Sequence, residues 1–241
     1  MTITNSETGY EHFMVDCETI GTQPNRNPVL QISIVHFCPD SFTTGETFTA
    51  YLPLPDQIEA GRHADQGTIE WWGKPERAAV LADIMGKVKN APSMVSSLTE
   101  VLQWVTKVCT RTDGKIDQSV FWAKPVGFDY PFIDGLFLDH KVISPFHYRN
   151  VVDMFTHIIS MLKATFLHSY NQRLPHQVAV DMYWRLRIKN KKEEATAHNA
   201  IADCFYQIKW LQIATENTKH VLDHYDLHRN LNDYVPAYTG S

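Results

Sequence analysis

Cysteine, net positive charge and long apolar runs are all scarce in this chain of 241 residues. The four cysteines, Cys17, Cys38, Cys109 and Cys204, show no C-x-x-C spacing and sit among apolar residues. That argues against a disulfide framework or a zinc cluster and for reduced core thiols. Net charge is −5, whereas sequence-independent duplex binding needs a basic face. An enzyme that holds a short strand in a metal-neutralised cleft remains open. No apolar run approaches the roughly 20 residues of a bilayer span, and Met1 to Asn5 lack the charged-then-apolar order of a signal peptide. The expectation is a soluble cytoplasmic protein. Repeats and low-complexity tracts are absent and no linker-like shift in composition interrupts the chain, so one domain over 1–241 is expected, with a core over about 11–215 and a tail over 217–241.

What is present reads as an α/β protein. Three strand-like runs come first, at Glu11–Cys17, Val29–Phe37 and Thr47–Leu52. The turn-rich links between them, Gly21–Pro28 and Pro39–Gly45, are short enough for an antiparallel meander and too short for crossovers. The stretch Pro53–Gly67 reads as irregular. Helical patterns follow at Thr68–Trp72, Pro75–Lys89 and Ser93–Cys109, the last with Met94, Leu98, Leu102, Val105 and Val108 on one stripe. A fourth strand fits Ser119–Ala123 and a fifth Arg149–Val152, with helices at Tyr130–His140, Met154–Phe166, Pro175–Leu186 and about Asn199–Thr215. A meander followed by alternating helices and strands predicts a mixed five-stranded sheet flanked by helices.

Asp16 and Glu18 end the first strand, in Val15-Asp16-Cys17-Glu18-Thr19. Side chains alternate along a strand, so both carboxylates project from one face while Cys17 points to the core. Like charges side by side repel unless a cation lies between them, which makes the pair half of a metal site or else a solvated strand face. Asp129, in Gly127-Phe128-Asp129-Tyr130-Pro131, follows the fourth strand, where α/β proteins place chemistry; helix N-cap is its other reading. His198 and Asp203 open the last long helix. Five residues turn a helix by about 500°, so these two cannot share one ion as an i, i+4 pair would, and His198 is placed on the loop just before the helix.

Together, a D-x-E on the first strand, an Asp after the fourth and an H-x-x-x-x-D on a late helix resemble the DEDDh exonucleases of the DnaQ-like class, which share the ribonuclease H-like fold. The likeness covers most of residues 11–215. Thr68-Ile69-Glu70-Trp71-Trp72, Gly127-Phe128-Asp129-Tyr130-Pro131 and His198-Asn199-Ala200-Ile201-Ala202-Asp203 look most like phage DexA-type exonucleases and bacterial exoribonucleases; Phe146–Asp153 resembles oligoribonuclease.

The resemblance implies 3′-5′ hydrolysis of single-stranded DNA or RNA to nucleoside 5′-monophosphates, with two Mg²⁺ or Mn²⁺ ions about 3.5–4 Å apart. Oxygen-only ligands suit those ions rather than zinc. By the same resemblance Asp16 bridges the ions, Glu18 and Asp203 complete the side of the attacking water, Asp129 the other side, and His198 is the general base, an imidazole of ordinary pKa near 6.5 suiting that role. Thr19, Ile20 and Gly21 would meet the 3′-terminal nucleotide, with Phe128, Tyr130 and Asn199 as further contacts. Trp71 and Trp72 cannot share one side of a helix, so one belongs in the core and one near the site. The basic run Arg185, Arg187, Lys189, Lys191 and Lys192 reads equally as a phosphate track or a solvated loop. The Trp-Trp segment tilts the substrate slightly towards DNA and Phe146–Asp153 towards short RNA. A binding module of the same fold is the rival from another class. The oligomeric state stays open between monomer and homodimer, and a phage origin would place the enzyme in host cytoplasm.

Overall fold

The computed structural model describes residues 10–111, 118–171, 173–189 and 198–223. Three antiparallel strands, β1 (Glu11–Thr19), β2 (Val29–Phe37) and β3 (Thr44–Tyr51), form the expected meander. Two short parallel strands, β4 (Ser119–Ala123) and β5 (Val151–Asp153), extend it beyond β1, so the sheet order is β3-β2-β1-β4-β5. All nine residues of β2 are buried, as both faces of a central strand are covered, while threonine-rich β3 is the more exposed edge.

Helices cover both faces. The helices are α1 (Leu54–Glu59), α2 (Gln66–Trp72), α3 (Pro75–Val88), α4 (Met94–Arg111), α5 (Val126–Asp139), α6 (Met154–Tyr170), α7 (His176–Lys189) and α8 (Ala200–Asp223). Alternation along β1 divides the core. Phe13, Val15 and Cys17 pack with Met94, Leu98, Val101, Val105 and Val108 of α4, where buried Val101 takes the place expected of Leu102, which is only half-buried, and with Phe132, Ile133 and Leu136 of α5. Met14, on the other face, packs with α6, α7 and the Cys204, Ile208 and Leu211 stripe of α8. Fully burying each such side chain contributes about 1.5–3 kcal/mol. All four cysteines are buried free thiols, as their apolar settings imply.

Most element ends shift from expectation by one to four residues, and three differences are larger or bear on the site. Pro53–Gly67 is not irregular throughout: it contains α1, where Pro lies in the first turn and the buried Gln57 amide bonds both the N–H and the C=O of Val29. Helix α5 starts at Val126 rather than Tyr130, with Pro131 inside it, although proline favours a first turn. Helix α8 runs on to Asp223, so the first seven residues of the expected tail are helical, while 224–241 lie outside the described residues. Among the described residues, no helix is long and apolar enough to cross a membrane.

At the far end of β1 from the carboxylates, His12 Nδ1 accepts a bond of 2.9 Å from Trp122 Nε1. Burial pushes the His12 pKa down to about 4, against the pull of the Glu11 and Asp40 carboxylates. Between pH 4 and 6.5 the unfolded chain therefore binds more protons at this residue than the folded one. The stability His12 contributes is present above about pH 6.5 and lost as pH falls through 4, by up to about 3 kcal/mol. Denaturant midpoints measured across that window should fall less steeply for His12→Gln, which keeps an acceptor for Trp122 but does not titrate. An unchanged slope would show that His12 is not the source.

Candidate active site

Asp16 and Glu18 lie opposite Ser33 and Gln31 of β2, just before an irregularity in register at Glu18/Thr19. They face α8, whose first turn carries Asp203. Ligand oxygens of Asp16, Glu18 and Asp203 fall within 4.8 Å of one another. Three carboxylates so placed repel by about 3 kcal/mol per pair at an effective dielectric constant of about 20. A hard divalent cation relieves this, and an all-oxygen donor set fits magnesium or manganese. Burial and the surrounding carboxylates raise the nearby thiols of Cys17 and Cys204 well above the ordinary thiol range.

Helix α8 is docked so that this geometry holds. Gln207, one turn after Asp203, donates to Asp16 Oδ1 at 2.9 Å. Cys204 Sγ approaches the Ser33 carbonyl at 3.5 Å. Asn199 Oδ1 accepts from Ala202 N at 3.4 Å, so Asn199 caps the helix rather than standing on the cavity wall. His198 precedes it in a turn with φ +64°, a left-handed conformation uncommon outside glycine. As expected, it lies before the helix, and its ring meets Trp71 edge-on with centroids 4.6 Å apart.

Asp129 is not the N-cap of α5; that position is Pro125. The earlier helix start places Asp129 within the first turn, 2 % exposed, where its Oδ1 accepts the Cys17 N–H at 3.0 Å. It thereby fixes the β1 backbone between Asp16 and Glu18 and lies outside their group of three clustered oxygens. Burial pushes its carboxyl up to about 7, opposed by the bonds from Cys17.

Beside the carboxylates opens a cavity of about 370 Å³ lined by Cys17, Glu18, Thr19, Gly21, Thr22, Asp65, Gly67, Thr68, Trp71, Trp72 and Phe128. The two tryptophans divide as a helix requires. Trp72 is buried against Leu30, Ile84 and Val88 and donates to the Thr19 carbonyl at 3.0 Å. Trp71 is half-buried between the His198 ring and the Arg77 guanidinium, which sits 4.1 Å from its centroid. Phe128 is on the cavity wall, but Tyr130, about 200° further round α5, packs on Phe121 with Asp134 beside its hydroxyl. Ile20 joins the Trp72 cluster as core. Of the basic run, the Arg185 side chain pairs with Asp181 at 2.6 Å; Lys191 and Lys192 lie outside the described residues.

Several residues escaped the sequence reading. The Arg62 guanidinium, 3 % exposed, donates to the Pro24 and Asn27 carbonyls at 2.7 and 3.0 Å and to Asp139 of α5 at 2.8 Å. Asn27 accepts from Gln23 N and donates to the His63 carbonyl, both at 2.8 Å. This lattice fixes the Gly21–Pro28 loop that forms one cavity wall. Its signal is long-range and invisible in a local pattern. Asp65 and Thr68 are different: Asp65 caps α2 through Thr68, and the D-x-x-T spacing would have placed the start of that helix at Gln66.

A family model for the Rv2179c-like 3′-5′ exoribonuclease domain matches residues 11–215. No curated protein sequence shows significant similarity to the chain. Solved structures of E. coli exonuclease I share the fold. The zinc-bound complex with single-stranded DNA superposes with a TM-score of 0.57 at 16 % identity over 92 % of this chain and 44 % of that one. The complex with a dA16 oligonucleotide gives 0.57 at 17 % identity, again over 92 % and 44 %. A product-bound structure of exonuclease I gives 0.54 at 15 %, over 92 % and 47 %. This chain thus spans less than half the length of those proteins. The ribonuclease H-like sheet, the carboxylate pattern and the match over 11–215 agree: the chain belongs to the Rv2179c-like 3′-5′ exoribonuclease domain family.

Proposed function

We propose that the chain is a divalent-metal-dependent exonuclease that trims single-stranded RNA from its 3′ end, releasing nucleoside 5′-monophosphates. The observation that carries this reading is the convergence of the Asp16, Glu18 and Asp203 oxygens within 4.8 Å beside a cavity of about 370 Å³. Those three residues would hold the metal, with Asp129 on the α5 side. When bound, magnesium or manganese neutralises charge at the attacking and leaving oxygens of the phosphodiester. His198 takes the proton of the attacking water. Its place against Trp71 keeps the imidazole at the cavity edge, within reach of a bound nucleotide. Trp71 and Phe128 offer π faces to the terminal base, a contact that tolerates any sequence.

Family membership over residues 11–215 favours RNA, which moves the weight from the slight tilt to DNA carried by the Trp71-Trp72 segment. DNA stays the second reading, supported by that segment and by the single-stranded DNA bound to exonuclease I. Matched RNA and DNA oligomers incubated with Mn²⁺, with products resolved by length, separate the two. Faster stepwise shortening of RNA is expected. Faster loss of DNA would establish the second reading, and cleavage of neither would favour the binding module. Metal binding has its own readout, because a ligand of the folded state alone raises the melting temperature. Melts unmoved by millimolar Mg²⁺ or Mn²⁺ would count against the ion site.

A further inference from the structure

One group on the cavity wall has no part in hydrolysis: the carboxylate of Asp65, on a surface shared with Thr19, Thr22 and Thr68. An anion facing a bound polyanion is repulsive unless the ligand donates to it. A nucleic acid offers three kinds of donor: sugar hydroxyls, the amino groups of bases, and the ring N–H of guanine, uracil and thymine. Asp65 is aimed before any ligand arrives. Its Oδ2 accepts from Thr68 N and Thr68 Oγ1 at 2.8 and 2.9 Å, and its own N–H donates to the Ile20 carbonyl at 3.0 Å. It is thus fastened to the segment that follows Glu18. A carboxylate has about four acceptor positions, so the bonds from Thr68 leave room for a ligand hydroxyl.

The rest of the wall assigns neighbours to the other parts of a nucleotide. Glu18 marks the phosphate and metal end, and Trp71 and Phe128 supply the flat apolar surface for a base. The side built from Thr19, Gly21, Thr22, Asp65 and Thr68 has the polarity of a sugar site. We propose that Asp65 accepts the 2′-hydroxyl of the 3′-terminal ribose and so makes this cavity select RNA ends over DNA ends. An acidic side chain binding a ribose 2′-hydroxyl is the solution dinucleotide-binding folds also use. The assignment rests on the exonuclease reading above and gives its RNA preference a single residue.

The test uses Asp65→Asn, since Asn caps a helix as well as Asp and α2 keeps its start. The substrates are a DNA strand and the same strand carrying one ribonucleotide at its 3′ end, each with all four terminal bases. In the native protein the ribonucleotide end should be preferred by about tenfold or more in kcat/KM, the range a hydrogen bond to a charged group supports. In Asp65→Asn that ratio should collapse towards one. Thr68→Val, which removes one of the two bonds aiming the carboxylate, should lower it part of the way. A ratio that survives Asp65→Asn overturns the proposal. So does an effect that follows the amino group or ring N–H of the terminal base instead of the sugar, or a native protein indifferent to the 2′-hydroxyl. If the native protein cleaves nothing, the exonuclease reading fails, but calorimetric binding of AMP against dAMP still decides the role of Asp65: AMP should bind more tightly to the native protein, and the difference should vanish in Asp65→Asn. Equal affinities in the native protein overturn the proposal.

Discussion

Asp16→Asn should lower the rate of cleavage by about 10³-fold or more, because the lost metal interaction is worth several kcal/mol and each 1.36 kcal/mol is tenfold. Asparagine keeps the oxygen that accepts from Gln207 at 2.9 Å, so the docking of α8 is preserved. What disappears is one of three negative charges held within 4.8 Å. The metal-free variant should therefore be at least as stable as the native protein, since two repulsive pairs are removed at about 3 kcal/mol each before solvent screening. The stabilisation produced by Mn²⁺ should shrink in parallel with activity. Three measurements check this: single-turnover cleavage, melting without metal and melting with it. Activity within tenfold of native would sink the assignment of Asp16. A collapse of the metal-free fold would mean the residue is structural.

Gly21→Ala should be the most damaging single methyl in the cavity wall. A Cβ at Gly21 would lie 2.0 Å from Asn27 Cγ and 2.2 Å from its Oδ1, and Gly21 has φ +148°, which side chains rarely adopt. Overpacking and backbone strain together cost about 3 kcal/mol or more. Asn27 can yield only by giving up its bonds to Gln23 and His63, which loosens the loop. Denaturant unfolding should report the loss, and KM should rise more than kcat falls. A double-mutant cycle with Asn27→Gly locates the cause: coupling of about 1 kcal/mol or more is expected for groups in contact. Additive effects would show that Asn27 is not the obstacle.

Much of this molecule could be read from local pattern. The alternation in β1 and β2 gave the meander and the common face of Asp16 and Glu18, and the stripe on α4 gave its packing. The placement of His198 before α8 followed from the helical turn alone. Other features depend on contacts between distant segments. Nothing near Asp129 in sequence announces that its carboxylate bonds Cys17, 112 residues away. Tyr130 and Phe128 look alike as candidates until the start of α5 is known, and Pro131 argues for a later start than the one adopted. Arg62 reads as a surface residue in a polar stretch, yet it is buried because two distant segments, the Gly21–Pro28 loop and the end of α5, bring acceptors to it. Trp71 and Trp72 could be divided by helix geometry, but choosing between them required knowing which side of α2 faces Thr19.

Helix α5 is tied down at both ends. Asp129 near its start grips the strand between the two carboxylates, and Asp139 at its end holds the arginine that braces the opposite cavity wall. The nine residues between them act as a gauge block between the carboxylate cluster and the cavity wall. Adding or deleting one would rotate the two ends by about 100° and displace them by about 1.5 Å, so one bond could form only by giving up the other. The length of this helix is thus as much a part of the candidate site as any side chain on the cavity wall.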